Sequence, residues 1–180
     1  FKISNDIYKD EIGYTLIRGI MLQRDGDHGL DDPNVTHWNR PAAHLQDAID
    51  EASGQLIDLV GGHMDAGDRG KYPVNLAMTS TAMLNAMRLF PEGIEALGET
   101  LEMPESGNGI PDFVDEAIIE LDLLKRMVML SSKGGALPQW LRPTTQSYEE
   151  NVPLEGLSDR TFYTETQGPH KPLTLYAAGT

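Results

Sequence analysis

Two aspartates three positions apart, Asp65 and Asp68, lie in the stretch GGHMDAGDRGKYP, residues 61 to 73, among four glycines and beside Arg69, Lys71 and Tyr72. Two carboxylates so placed can act on one water, one accepting its proton while the other orients it. A carboxylate does this near neutral pH when its surroundings partly desolvate it, and repulsion between the two raises the pKa of one. Asp and Gly are equally the residues that tight turns require. Spacing alone leaves a catalytic pair and a plain turn both open.

The elements that would position the pair are helices. Immediately after it, Pro73 suits a helical first turn, where its missing N–H costs nothing, and Leu76, Met83, Met87 and Phe90 recur at helical spacing until Pro91. The stretch from there to Met103 has only weak helical character. ESGNGIPDFVDEAIIELDLLKRMVML predicts another long helix. Ile110, Phe113, Ala117, Leu121, Leu124 and Val128 share its face, Asp112, Asp115 and Glu116 lie in its first turns, and Lys125 and Arg126 lie near its end.

Ahead of the pair, Ile3, Ile7, Tyr14, Ile17 and Met21 mark a helix ending near Arg24, the segment to Asn39 is loop, and a short helix is expected around His44 to Ala52. Gly134 to Lys171 is irregular, and a helix starts at Leu173. No strand-like alternation runs over a long window, so the expected fold class is all-α, with long helices joined by long loops. The methionines at 78, 83, 87, 127 and 129 read as core filler on these helices.

The 180 residues suit one domain, and 14 basic against 28 acidic residues give a formal charge of −14. That charge repels nucleic acid and anionic membrane, and no apolar run is long enough to span a bilayer. With no cysteine there is neither a disulfide frame nor a thiolate metal site. FKISNDIYKD lacks the basic start and apolar stretch of a signal peptide. The chain is expected to be part of a longer one.

Four segments, in order, resemble glycoside hydrolase family 9, the cellulase family. GGHMDAGDRGKYPVNLAMTSTAML is similar to that family's GGW(Y/H)DAGD segment, and ESGNGIPDFVDEAIIELDLLKRM to its ESxNGIPD block; RPAAHLQDA and the start through MLQRDG match more weakly. The resemblance covers most of residues 1 to 130. It implies an (α/α)6 barrel, of which residues 1–180 would be the N-terminal portion of one incomplete domain. The implied chemistry is inverting hydrolysis of β-1,4-glucosidic bonds in a β-glucan polysaccharide or oligosaccharide, by a secreted or periplasmic enzyme that requires no cofactor. Asp68 matches the general base and Asp65 the partner aspartate that positions its water. The resemblance implies that the general acid is a glutamate near the C-terminal end of the barrel, expected beyond Thr180; Glu105, Glu149, Glu150 and Glu165 match no such context, and the 180 residues alone are expected to be inactive.

Departures from the family pattern bear on specificity. His63 and Met64 stand where many members carry Trp then Tyr or His, and Arg69 follows Asp68 where His or Tyr is usual. Some members hold a structural zinc on two Cys and two His; the matching positions here are Asp25, Ala43, His44 and Met64, which leave one good ligand, so no zinc site is expected. His44 then reads as a hydrogen-bonded structural or cleft residue. DGDHGLDD, residues 25 to 32, is not an EF-hand, because Leu30 and Thr36 stand where Gly and Glu are needed; an incidental structural calcium stays open.

Sugar rings stack on aromatic faces, so Trp38, Tyr72 and Trp140 are candidate cleft residues. Tyr72, His63, Arg69 and Trp38 form the expected substrate-binding set around Asp68. The readings carried forward are an endoglucanase-like enzyme, an exo-acting cellobiohydrolase or glucosaminidase of the same fold, and a non-catalytic helical module that binds carbohydrate. Retention of both aspartates favours an enzyme.

Overall fold

The computed structural model of the chain describes residues 17, 19–27, 42–50, 53–65, 69–101, 103–132, 140–143 and 160–163. Within them, helix α1 spans Pro73–Leu89, α2 spans Pro91–Leu97 and α3 spans Asp112–Ser132. Residues 17 and 19–21 are also helical and give way to a turn before Arg24, as the sequence predicts. The rest of that first helix and the one expected at Leu173 lie outside the described residues.

Helix α1 begins at Pro73, whose fixed φ and missing donor fit the first turn. Pro73, Leu76, Ala77, Ser80 and Met83 form its buried face. Ser80 is accommodated there because its hydroxyl donates to the Leu76 carbonyl at 3.0 Å. Phe90 departs from the expected stripe: its backbone leaves the helix at φ −132°, and the side chain is exposed. Pro91 ends α1 and begins α2 in the same step, so the weakly helical stretch forms one short helix, closed by Gly98 at φ 54°.

Helix α3 packs on α1, and α2 touches both. Beyond its first turn, the buried positions of α3 include Glu116, Ala117, Glu120, Leu123, Leu124 and Met127, a three-and-four repeat with two glutamates in the seam. The helix continues to Ser132, so Lys125 and Arg126 do not occupy its last turn, which holds no basic residue. Arg126 instead reaches Asp58 at 3.0 Å and the Val60 carbonyl at 2.6 Å, fastening the segment before Gly61 to α3. Met83 and Met127 are core residues, whereas Met78 and Met129 lie on outer helical faces and are exposed.

The sequence between His44 and Asp50 is turn and extended chain rather than helix. Ala48 and Ile57 exchange backbone hydrogen bonds at 2.7 and 2.8 Å, and Ile49–Asp50 forms strand β1. β2, Trp140–Pro143, and β3, Arg160–Tyr163, complete a small sheet of order β1-β3-β2, with β1 parallel and β2 antiparallel to β3. Strands of two to four residues are too short to display alternation, which is why this sheet was not legible beside the helices.

The main apolar core joins α1 and α3 through Leu76, Ala77, Leu123, Leu124 and Met127, with Ala48, Leu59 and Leu141 from the extended segments. A second cluster gathers Ile17 and Met21 with Leu101 and Met103. Burying a leucine or methionine of this kind stabilises by roughly 1.5–3 kcal/mol. The Gly61–Asp65 segment runs along α3, and its placement is the fold's contribution to the site.

Candidate functional site

The backbone fixes Asp65 before any side chain is considered. The Asp25 N–H donates to the Gly62 carbonyl at 2.8 Å, and the Met64 N–H donates to the Gln23 carbonyl at 2.7 Å. Gly62 has φ 70° and lies so close to α3 that a Cβ would sit 2.9 Å from Leu123 Cβ. Glycine is therefore required both for conformation and for approach. The Asp65 N–H then donates to the Gly70 carbonyl at 2.8 Å.

Asp65 emerges from this support exposed, in the wall of a cavity of about 220 Å³ that also involves Gln23, His63, Asn75, Thr79 and Glu120. Asp68 lies outside the described residues, as does Trp38. Trp140 is placed only as a member of β2, its side chain lying outside the description. Arg69 is half-buried at φ 51°, a left-handed conformation unusual for a non-glycine residue. Tyr72 is half-buried with its ring against Gly70, at the junction of the loop and α1.

His63, expected at the substrate surface, is instead 4% exposed, with both ring nitrogens held by carboxylates. Nε2 is 2.6 Å from Glu116 Oε1 and Nδ1 is 2.9 Å from Glu120 Oε2. Two carboxylate partners require two N–H donors, so the ring is an imidazolium. Burial opposes that charge, but the hydrogen bonds to Glu116 and Glu120 outweigh it and hold the pKa at about 9.

Arg24 completes the cluster. Its guanidinium donates to Glu116 at 2.7–3.2 Å and to Glu105 at 3.0–3.2 Å, using three nitrogens. Burial disfavours the Glu116 carboxylate, yet hydrogen bonds from His63 and Arg24 reverse this and lower its pKa. For Arg24, burial is likewise overcome by Glu116 and Glu105, and its pKa is raised. Glu105, weighed above as an acid, is an ion-pair partner of Arg24.

A second buried cluster lies on the other side of the Gly61–Asp65 segment. Lys71 Nζ is 2.7 Å from Asp25 Oδ2 and 2.9 Å from Asp47 Oδ2, and donates to the Leu59 and Gly61 carbonyls at 2.9 Å each. His44, buried at φ 51°, pairs through Nδ1 with Asp25 Oδ1 at 2.7 Å. His44 is thus the structural residue of the two alternatives. Donor atoms of Asp25, His44 and Asp47 lie within 4.8 Å of one another, the spacing of metal ligands. The ammonium of Lys71 already bridges both aspartates, and buried Ala43 and Met64 offer no thiolate or imidazole, so this donor set does not fit the family's zinc. The acidic loop from residue 28 to 32 lies outside the described residues.

The sequence shows the two long helices after Asp65 but not Arg24, Lys71, Asp47, Glu116 and Glu120 as a charged support. The signal was present in α3: glutamates at 116 and 120, four apart, fall on the same face as Ala117, Leu124 and Met127. Fully buried carboxylates demand cations. Which cations was not legible, because Arg24 is 92 residues away from Glu116.

Comparison with known proteins gives this arrangement its context. The glycosyl hydrolase family 9 model matches residues 11–180. Endoglucanase D of Acetivibrio thermocellus is 36% identical over 137 residues, covering 74% of this chain and 21% of the relative. Cellulose 1,4-beta-cellobiosidase of the same organism is 34% identical over 154 residues, covering 71% and 17%. The crystal structure of a metagenome-derived family 9 endoglucanase superimposes with a TM-score of 0.73 at 29% identity, covering 87% of this chain and 28% of that one. The chain therefore spans less than a third of the length of these relatives. Its helices and loops form part of an (α/α)6 barrel, with a small sheet added at the edge. On the match across residues 11–180, the chain belongs to glycosyl hydrolase family 9.

Proposed function

We propose that this chain is part of an inverting glycoside hydrolase that cleaves β-1,4-glucosidic bonds in cellulose or a related β-glucan, with endoglucanase-like action, in a secreted or periplasmic setting. The observation that carries the reading is an exposed Asp65 carboxylate on a segment pinned from Asp25 through Gly70, within a family 9 chain. Asp68 acts as general base on the attacking water and Asp65 helps orient that water. Tyr72 and Arg69, with Trp38, border the sugar. The charge of −14 disfavours nucleic acid as a partner, and no helix among the described residues is long and apolar enough to cross a membrane.

Inversion requires a carboxylic acid on the opposite face of the scissile bond, roughly 6.5–9.5 Å from the base, to leave room for water. Glu116 and Glu120 are buried and Glu105 is paired with Arg24, so none of these three serves that role. The family resemblance assigns that acid to a glutamate near the C-terminal end of the barrel.

In the full-length protein, reducing-end release from carboxymethylcellulose tests the reading. Asp68→Asn should lower kcat by about 10²–10⁴-fold, the range of a general base. A variant as fast as wild type would refute that role. Loss of viscosity ahead of reducing-end release would indicate endo action, and release of disaccharide alone exo action. Binding of cello-oligosaccharide without hydrolysis would make the protein a carbohydrate-binding module.

A further inference from the structure

We propose that His63 is a positioning residue whose doubly donating ring clasps the Asp65 segment to α3, so that hydrolysis depends on His63 keeping both ring protons. The inference rests on the hydrolase reading above and extends it to a buried residue two positions before Asp65.

The geometry is specific. Glu120 is fully buried, and both hydrogen bonds it accepts among the described residues come from His63, through the backbone N–H at 3.0 Å and through Nδ1 at 2.9 Å. Its other oxygen, Oε1, has no hydrogen-bond partner. His63 is therefore the cation that makes a buried carboxylate tolerable at this point of α3. On its other edge the ring holds Glu116, which is also gripped by Arg24. The clasp thus joins the end of the first helix, the Gly61–Asp65 segment and α3, two residues before Asp65.

Charge balance makes the clasp sensitive to one proton. Arg24 and protonated His63 face Glu105, Glu116 and Glu120; Asp65 lies further along the same segment, and Arg126 faces it beyond Gly61. When His63 loses a proton, one of its two nitrogens becomes an acceptor facing a carboxylate, and one edge of the clasp opens. Hydrogen bonding within the cluster holds this event near pH 9, against the 6.5 of an unperturbed histidine. The coupling to pH is thus a property of this chain's own residues.

The test uses the full-length protein with three forms: wild type, His63→Gln, and His63→Gln/Glu120→Gln, which removes the carboxylate left unpaired by the first change. Three quantities are read: kcat and KM against pH, backbone amide exchange over residues 63–65, and the protonation of the His63 ring by ¹⁵N NMR. The expected result for His63→Gln is a kcat lower by about 10–100-fold, the cost of a small misplacement of a catalytic group, with KM little changed. Exchange at 63–65 should quicken while the α3 core around Leu123 and Met127 stays protected. Wild type should show an alkaline fall in kcat centred near pH 9, and the double variant should regain part of the rate and lose that fall.

Wild-type kcat and exchange in His63→Gln would overturn the proposal, as would the same alkaline fall in the double variant. Should His63→Gln fail to fold, wild type alone decides: a ring protonated on both nitrogens at pH 8 supports the clasp, and a neutral ring at pH 8 overturns it. Exchange is read without substrate, so wild-type inactivity on glucans would refute the hydrolase reading, whereas unchanged exchange would refute the clasp.

Discussion

Two buried charged clusters flank the Gly61–Asp65 segment, and they solve the same problem differently. On one side Asp25 and Asp47 share the ammonium of Lys71, which also binds two backbone carbonyls. On the other, Glu116 and Glu120 are neutralised by Arg24 and an imidazolium, with Glu105 at the edge. The lysine cluster ties loop to loop through a compact cation. The histidine cluster ties the segment to α3 through a ring that has two donors only while it is charged. The histidine cluster therefore carries a pH dependence.

The largest expected effect breaks the first cluster. Lys71→Met would leave Asp25 and Asp47 buried without their shared cation, and should cost about 3–5 kcal/mol in thermal or urea unfolding of the full-length protein. A loss below about 1 kcal/mol would mean that the aspartates are not charged, and the contrast between the clusters would fail.

Next in size is the pH dependence of the second cluster. His63 has a folded-state pKa of about 9, above its unfolded value of 6.5. A raised histidine pKa stabilises fully below the unfolded value, and that contribution falls away as pH rises through the folded one. Wild-type stability should therefore decline between pH 6.5 and 9, by about 3 kcal/mol in all if the shift is fully expressed. His63→Gln should be flat across that window, and an equal slope in both forms would assign the titration elsewhere.

A smaller effect tests the contact between segment and helix. Gly62→Ala introduces a Cβ against Leu123 at a position with φ 70°, and should destabilise by about 1–3 kcal/mol while lowering activity through Asp65. A neutral result would mean that the segment does not rest on α3 as described.

Much of the scaffold was legible because it obeys local rules. Pro73 marks a helix start and Pro91 a helix end, and the apolar repeat through Leu76 and Met83 marks a buried face. The family motifs singled out Asp65 and Asp68 where spacing alone could not. What escaped was non-local or brief. β1 is two residues long and pairs with a strand more than a hundred positions later, so the expected helix from His44 to Ala52 gave way to pairing that no local window contains. His63 looked like a surface residue because a histidine in a glycine-rich loop usually is one. Its burial is decided by Glu116 and Glu120, more than fifty residues away.

The most direct test of the central claim, that Asp68 and Asp65 activate water for a single displacement, is the anomeric form of the first product. With the full-length protein and a soluble cello-oligosaccharide, ¹H NMR in the first minutes should show α-configured reducing ends, which then mutarotate. Initial appearance of the β-anomer would mean retention through a covalent intermediate, and would contradict the assignment of Asp68 as a base acting on water.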